Sequence, residues 1–564
     1  MQKRVANVIA QLLINKKVEY VFGVTGKTIA PFLDALLDYE QIEYIAAKHE
    51  NGAALMAYGY AQGSGNIGVC CGSTGGGSTN LATGVATAFM NSVPMLVITG
   101  QVSTQDYGKG AFQESTGFGQ SIDTVDFFRS VTKESFAAIN PLKVADAIEY
   151  GIRSAQSGRM GPVHINIPFD IQQAEIDLSK PDFNSRAHTN GIVGESTGLK
   201  EALSLLDSAQ KPVFLVGWGA VQSEAHKEII EISENLEIPV ATTIQGKGAI
   251  PSDHPLCLGV VGICGHQVAV DYVFDQSDLL IAVGTSFGEF STYGWDSRFL
   301  SKKKIIQIDI DNREIGKNYP VEIGLTGNAK IIIHQLNLMI RKAGIKAKPS
   351  GRLVSEFINS LGRVMNPEKM GDNSVPLKPQ RLFELVNKIS SDNTLFLADS
   401  SSHWAWSMHY LKIKKNGNFY PTLGLGAMGA SIGSAIGIKL SRNDNPVVCI
   451  CGDGSFLMGG NEVATAGQFN IPVIWIVFND SRYGMPEASI KRMYNRTIGV
   501  SLSDTNFAKM AESMGVTGFR VDNSHDFARA YKDALALGQP VVIDVLIDKT
   551  EIPPIGKRKL IPED

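Results

Sequence analysis

Pro446-Val-Val-Cys-Ile-Cys451 runs directly into Gly452-Asp453-Gly454-Ser455, and the reading of this stretch sets the rest of the chain. The run is apolar throughout, which predicts a buried strand ending at the first glycine. Glycines at a strand end let a backbone approach a phosphate closely. A helix-like segment, Asn461 to Phe469, follows. Then Ile471-Pro-Val-Ile-Trp-Ile-Val-Phe478 reads as a second buried strand, ending at Asn479-Asp480. Strand, helix and strand in this order predict two parallel strands whose C-terminal ends share one edge. Asp453 and Asp480 stand 27 residues apart in sequence but on the same edge. Two carboxylates beside a glycine-rich turn suit a hard cation that also binds phosphate oxygens, in other words a diphosphate–Mg²⁺ site. The alternative is an ordinary parallel-sheet unit with turn residues at its strand ends.

The same alternation fills the first third. A helix from about Val5 to Asn15 leads to a strand, Glu19-Tyr-Val-Phe-Gly23, and the turn Val24-Thr-Gly-Lys27 starts a helix ending near Leu37. The strand Ile42–Ala46 precedes Lys48-His49-Glu50, a helix of small residues (Gly52–Ala61) and a strand ending at Cys71. A glycine loop, Ser73 to Asn80 with Gly75 inside it, a further helix and the strand Pro94–Thr99 complete the pattern. Strands alternating with helices predict an open parallel α/β sheet with ligands at the strand C-terminal ends. Glu50 is the candidate catalytic carboxylate: it sits at a strand-to-helix junction, and the small residues after it let something pack close. Its alternative role is a helix N-terminal Glu stabilised by the helix dipole.

At 564 residues, with 44% hydrophobic and 19% charged residues, the chain is long enough for several packed domains. Asp177 to Asn190 is polar, contains Pro181, and reads as a linker. Lys211-Pro-Val-Phe-Leu-Val-Gly-Trp-Gly219 opens another α/β unit, and Ile345–Gly351 begins a second linker. The expected units are residues 1–175, 190–345 and 375–550, with a tail over 551–564. A net charge of −4 gives no reason to expect a nucleic-acid partner. Cys70, Cys71, Cys257, Cys264, Cys449 and Cys451 have neither zinc nor disulfide spacing, which suits a reducing, cytoplasmic setting. The N-terminus reads as an amphipathic helix rather than a signal peptide, and no run of 18 apolar residues predicts a membrane span.

Taken together, these motifs resemble those of the acetolactate synthase/pyruvate decarboxylase group of thiamine diphosphate (ThDP) enzymes, and most of all the acetolactate synthase large (catalytic) subunit. The resemblance runs over nearly the whole chain. It is carried by Lys48-His-Glu-Asn-Gly-Ala-Ala, Thr99-Gly-Gln-Val, Ala111-Phe-Gln-Glu114, Gly158-Arg-Met-Gly-Pro-Val163, Ile308-Asp-Ile-Asp311, Gly424-Leu-Gly-Ala-Met-Gly429 and the Gly-Asp-Gly unit. It implies pyrimidine-binding, middle and diphosphate-binding domains. It also implies a homodimer with ThDP between the first domain of one subunit and the third of the other, dimers pairing into a homotetramer. Glu50 would share a proton with the pyrimidine N1′ and so promote loss of the thiazolium C2 proton. Phe112 and Gln113 would line the reaction centre. Gly75, Ser401, Ser402, His403, Gly452, Asp453, Gly454, Ser455, Tyr483, Gly484 and Met485 would face the cofactor. The Gly426 carbonyl would receive its 4′-amino group and Met428 would prop its bend. Asp453, Asp480 and the Arg482 carbonyl would bind Mg²⁺. In the middle domain, Gly217-Trp-Gly219, Gln245-Gly-Lys-Gly248 and Asp309/Asp311 form a nucleotide groove or are ordinary turns, so FAD, ADP, a CoA and no ligand all stay open there.

Departures from the synthase pattern fall on the acceptor side. An arginine expected after the Gly-x-x-Phe motif is absent; Gly284-Thr-Ser-Phe-Gly-Glu-Phe290 puts Glu289 or Phe290 there. A tryptophan expected after Gly484-Met485 is replaced by Pro486-Glu-Ala-Ser489, and Gly117-Phe-Gly-Gln-Ser121 is extra sequence beside Phe112-Gln113. A Pro-Gly-Gly turn becomes Thr25-Gly26-Lys27. Lys27 offers an ammonium to an anionic donor or acceptor, or to an enolate, or it is a solvated lysine at a helix start. The expected function is a ThDP- and Mg²⁺-dependent carboligase. It would decarboxylate a 2-keto acid, pyruvate first, and pass the acyl-anion equivalent to a second carbonyl. The alternatives are a decarboxylase releasing aldehyde, an acetyltransferase to phosphate or CoA, and a non-catalytic ThDP-binding paralogue that regulates a partner.

Overall fold

The structure, a computed structural model, describes residues 2–177, 196–300 and 303–556. The two apolar runs form strands Val447–Gly452 and Val473–Asn479, buried along their whole length and paired in parallel from Val447↔Val473 to Gly452↔Phe478. Helix begins earlier between them than expected, at Asp453, and comes in pieces: Asp453–Gly459, a 3₁₀ turn Gly460–Glu462, and Val463–Gln468. The Asp453 carboxylate in the first turn favours that early start, and the glycine pair Gly459-Gly460 ends the first piece.

These strands belong to one of three six-stranded sheets, each parallel throughout. Its order is Phe419–Pro421, Leu395–Ala398, Val447–Gly452, Val473–Asn479, Val541–Leu546, Thr517–Val521. The first sheet runs Glu43–Ala46, Tyr20–Gly23, Gly68–Gly72, Met95–Gln101, Pro162–Pro168, Glu134–Ala137. The middle sheet runs Cys257–Val260, Val240–Thr242, Pro212–Val216, Leu279–Val283, Lys304–Asp309, Ile323–Thr326. The α/β class with three open parallel sheets is therefore as expected. Continuous apolar strands covered by helices on both faces are what this architecture requires.

Both expected linkers carry structure at their ends. Glu175–Asp177 is a strand paired antiparallel with Gln2–Arg4, so the polar segment leaves the first unit along its N-terminus; the rest of that segment, 178–190, lies outside the described residues. Ile345–Gly351 leads into a helix, Ser350–Leu361, whose Val354 is buried with Tyr272 and Phe274 of the middle unit.

The helix of small residues spans Glu50–Ser64 and packs on Ala430–Ser441 of the third unit. A Cβ at Gly59 would overlap the Ser434 carbonyl, and one at Gly437 the Met56 carbonyl. What packs close to this helix is thus another helix backbone, which only glycine allows at those crossings. All six cysteines are buried free thiols. Among the described residues no helix is long and apolar enough to cross a membrane.

Candidate active site

A cavity of about 310 Å³ opens at the C-terminal ends of Val447–Gly452 and Val473–Asn479. Ser401, Ser402, His403, Met428, Gly452 through Ser455, Asp480, Arg482, Tyr483 and Gly484 line it, and Ile547 through Pro553 close one side. The expected tail residues 551–553 are thus part of the wall. Helices Ser402–Tyr410 and Asp453–Gly459 both start at this cavity, and their first N–H groups have no partner within the helix, a ready anion cradle. Ser401 holds φ 131° without being glycine, a strained conformation of the kind that marks ligand sites. A Cβ on Gly452 would lie 2.8 Å from His403 Nδ1, and one on Gly454 2.5 Å from the Tyr483 ring. The His403 ring is 3% exposed, and its Nε2 has no partner. Burial pushes this histidine down to about 3, so the ring is neutral. A buried polar atom without a partner in a cavity wall suits a ligand oxygen.

Asp453 accepts the Gly454 N–H at 2.6 Å and the Arg482 N–H at 3.2 Å. Burial, then the charge of Asp480, pushes it up to about 6. Burial raises Asp480 too, against the pull of Arg482, whose Nε donates to it at 2.8 Å. Arg482 in turn donates to Glu487 at 2.7 Å. Its backbone carbonyl accepts the Gly484 N–H at 3.1 Å, leaving that oxygen a second lone pair. Among the described residues no group of three or more His, Cys, Asp or Glu forms a complete metal cage. Two carboxylates and a carbonyl are the hard oxygen donors that would suit Mg²⁺.

A second group forms at the edge of the first sheet. Glu50 accepts from Asn80 Nδ2 at 2.9 Å and faces Gly77. Gly75 lies against the side chain of Gln113, which itself holds φ 63°. The Gln113 carbonyl accepts the hydroxyls of Thr74 at 3.0 Å and Ser115 at 3.1 Å. Thr28 and Ser73 hydroxyls meet at 2.9 Å, tying the turn that carries Lys27 to the glycine loop. Lys27 is exposed, with no carboxylate at ion-pair distance among the described residues, and Phe112 is 88% exposed. None of Lys27, Glu50, Gly75, Phe112 and Gln113 lines the cavity of Asp453. The described residues thus hold these two groups apart, on the edges of different sheets.

Gly426 and Met485, expected at the cofactor, line a second cavity of about 540 Å³ between the three sheets, which shares Ser401 with the first. Trp218, Gly219, Gln245 and Asp309 of the expected groove face it. Lys247 does not: it is buried and donates to the Met408 carbonyl at 3.1 Å. Asp311 turns to Arg313 at 2.7 Å. Glu289 and Phe290 stand in the wall, as does Arg159, which pairs with Glu314 at 3.0 Å. Asp399 and Asn91 have no counterpart among the expected site residues. Asp399 accepts the N–H groups of Gly429 at 2.6 Å and Ser431 at 2.9 Å, and Asn91 Oδ1 accepts from Gln245 at 2.9 Å and from Gly424 N–H at 3.0 Å. Both brace the Gly424–Gly429 loop. Asp399 follows the strand Leu395–Ala398, so the strand-end logic applied to Asp453 could have found it.

Comparison with known proteins agrees with this layout. Models of the thiamine pyrophosphate enzymes match in three pieces: the N-terminal TPP binding domain over residues 3–122, the central domain over 199–336 and the C-terminal TPP binding domain over 399–545. A probable acetolactate synthase large subunit of Methanococcus aeolicus is 36% identical, over 98% of this chain and 94% of its own length. Acetolactate synthase large subunits of Haemophilus influenzae (30% identical; 97% of this chain, 95% of theirs) and Corynebacterium glutamicum (32%; 96% and 86%) are also similar. The chain belongs to the thiamine pyrophosphate enzymes and is related to acetolactate synthase large subunits.

Proposed function

We propose that this thiamine pyrophosphate enzyme uses ThDP and Mg²⁺ to decarboxylate a 2-keto acid, pyruvate first, and to join the acyl-anion equivalent to a second carbonyl. The proposal is supported by Asp453 with Asp480 on one sheet edge and Glu50 on another, which we read as two half-sites, in a chain whose relatives are named acetolactate synthases. Bound ThDP would supply the electron sink for the carbanion left when CO₂ departs.

The chain's own residues do the rest. Asp453, Asp480 and the Arg482 carbonyl would hold Mg²⁺, and Ser401, Ser402, His403 and the Gly452–Ser455 turn would take the diphosphate. Glu50 would share a proton with the pyrimidine ring of bound ThDP, the Gly426 carbonyl would accept from its amino group, and Met428 would support it from the apolar side. Gly75, Phe112, Gln113, Tyr483, Gly484 and Met485 enclose the reacting carbon and exclude water. Because the two halves are separate within one chain, the working unit is a homodimer with Glu50 of one subunit facing the cavity of the other, and pairs of dimers form a tetramer. Exposed Phe112, Leu457 and Met458 stand beside the two half-sites, as an apolar interface requires. The larger cavity suits a nucleotide such as FAD, with Asp309 at a strand end and Gly219 against Gly284. FAD would be a structural passenger there, not a redox partner.

A decarboxylase releasing aldehyde is the second reading. It is favoured by Glu289 and Phe290, a carboxylate and a ring where the acetolactate synthase pattern leads one to expect an arginine for the second acid. Lys27 is the cation on the other half-site, and we assign it to the substrate anion. Lys27→Met is expected to raise KM for the anionic substrate by about tenfold, the loss of roughly 1.4 kcal/mol of pairing, with a smaller change in kcat. Steady-state kinetics over a panel of 2-keto acids and aldehydes reads this. Unchanged KM and turnover for every substrate would remove Lys27 from the site.

A further inference from the structure

Glu50 is the first residue of its helix, and the two N–H groups just before it are held by another part of the chain. Glu462 Oε1 accepts the His49 N–H at 3.0 Å, and Oε2 accepts the Lys48 N–H at 3.2 Å. The Thr465 hydroxyl donates to Oε2 at 2.7 Å, and Asn461 Nδ2 reaches Oε1 at 3.4 Å. The carboxylate is 2% exposed, although Lys48 and His49 are themselves exposed. Gly52 completes the seat, because a Cβ there would overlap the Glu462 carboxylate. Burial raises the Glu462 carboxyl, while its hydrogen bonds from Thr465, Lys48 and His49 pull it down.

We propose that Glu462 is a positioning residue that fixes the Lys48-His49-Glu50 turn and so sets the reach of the Glu50 carboxylate to the cofactor. The inference rests on the assignment of Glu50 made above. Burying a carboxylate is costly unless its oxygens are satisfied. Here the donors are two backbone groups of the turn together with the Thr465 hydroxyl and the Asn461 amide, and no ion pair is made among the described residues. A bidentate grip on two successive N–H groups fixes backbone direction, which a surface hydrogen bond does not. Glu462 comes nine residues after Asp453, at the end of the short helices that start in the diphosphate cavity. One short segment of the chain thus runs from the Asp453 cavity to the Glu50 turn. Glu50 keeps a second restraint, the 2.9 Å bond from Asn80, on its side chain. The two restraints act on different parts of the residue: Glu462 on the main chain, Asn80 on the carboxylate.

The test is hydrogen–deuterium exchange at the cofactor C2 position, measured by quenched-flow NMR on holoenzyme saturated with ThDP and Mg²⁺, beside ThDP affinity by fluorescence titration and the unfolding midpoint. Glu462→Gln presents an amide N–H₂ to one of the backbone donors, so the grip is broken without a large change of volume. It is expected to slow exchange by about tenfold with ThDP affinity changed less than threefold. In a Glu50→Gln background it is expected to add nothing, because a positioning residue acts only through the group it positions. An equal fractional loss in both backgrounds, or unchanged exchange in the single variant, would overturn the proposal. Thr465→Val removes one bond to the carboxylate and leaves Glu462 in place; a smaller loss with the same dependence on Glu50 is expected if Glu462→Gln does not fold. If Glu50→Gln alone left exchange at the wild-type rate, the failure would lie in the role of Glu50, and this inference would fall with it.

Discussion

Glu50→Gln is expected to lower turnover by about a thousandfold, within the range for removal of a positioned general acid–base group, while ThDP affinity changes less than tenfold. Glutamine can still accept from Asn80 Nδ2, which lies 2.9 Å from the present Oε2, so the local fold is retained. What it cannot do is exchange a proton with a ring nitrogen. Glu50 is also the first residue of a fifteen-residue helix, where the unpaired N–H groups favour the carboxylate over the neutral amide. That effect is small beside the loss of the proton. Initial rates of CO₂ release from pyruvate, together with a ThDP titration, separate the two quantities. Equal rates in variant and wild type would exclude the assigned role.

Asp453→Asn is expected to weaken Mg²⁺-dependent ThDP binding by about 100-fold, a loss of about 2.8 kcal/mol. The carboxylate is buried, lies beside Asp480, and is fixed by N–H donors from Gly454 and Arg482. An amide of the same shape keeps a carbonyl oxygen for those contacts but brings no charge to the metal. In wild type the proton and the metal compete for the same oxygens. Burial and Asp480 push Asp453 up to about 6, so the Mg²⁺ concentration needed for half-maximal ThDP binding should rise as pH falls below about 6. The Asn variant should keep only a weaker pH dependence, carried by Asp480, along with the lower affinity. Isothermal titration at pH 5, 6 and 7 reads both. Wild-type affinity in the variant would place the metal elsewhere.

The strands were legible because parallel sheets bury both faces, and a run such as Val447–Cys451 or Val473–Phe478 can then be apolar at every position. Asp453 and Asp480 were legible for the same reason: each ends such a run, and the topology brings the ends together. Glu50 stood out by its place between a strand and a run of small residues, but those small residues proved to serve the crossing with Ala430–Ser441. The contacts that brace these groups were not legible. Glu462 meets residues about four hundred positions away, and Asn-Glu after two glycines reads locally as a solvated turn. Asn91 likewise ties Gln245 and Gly424 together from a position with no periodic signal. Pairings between residues of different sheets leave no trace in local pattern. The short helix from Asp453 has little local signal, because Gly454, Gly459 and Gly460 are poor helix residues.

The most direct test of the carboligase claim is a mass-spectrometric product profile of the purified protein. It would be supplied with ThDP, Mg²⁺ and pyruvate, alone and with a panel of aldehydes and 2-keto acids. The account predicts CO₂ release and a product with a new carbon–carbon bond, both dependent on the two cofactors. Free aldehyde as the sole product under every condition, or no consumption of any 2-keto acid at saturating cofactor, would contradict it.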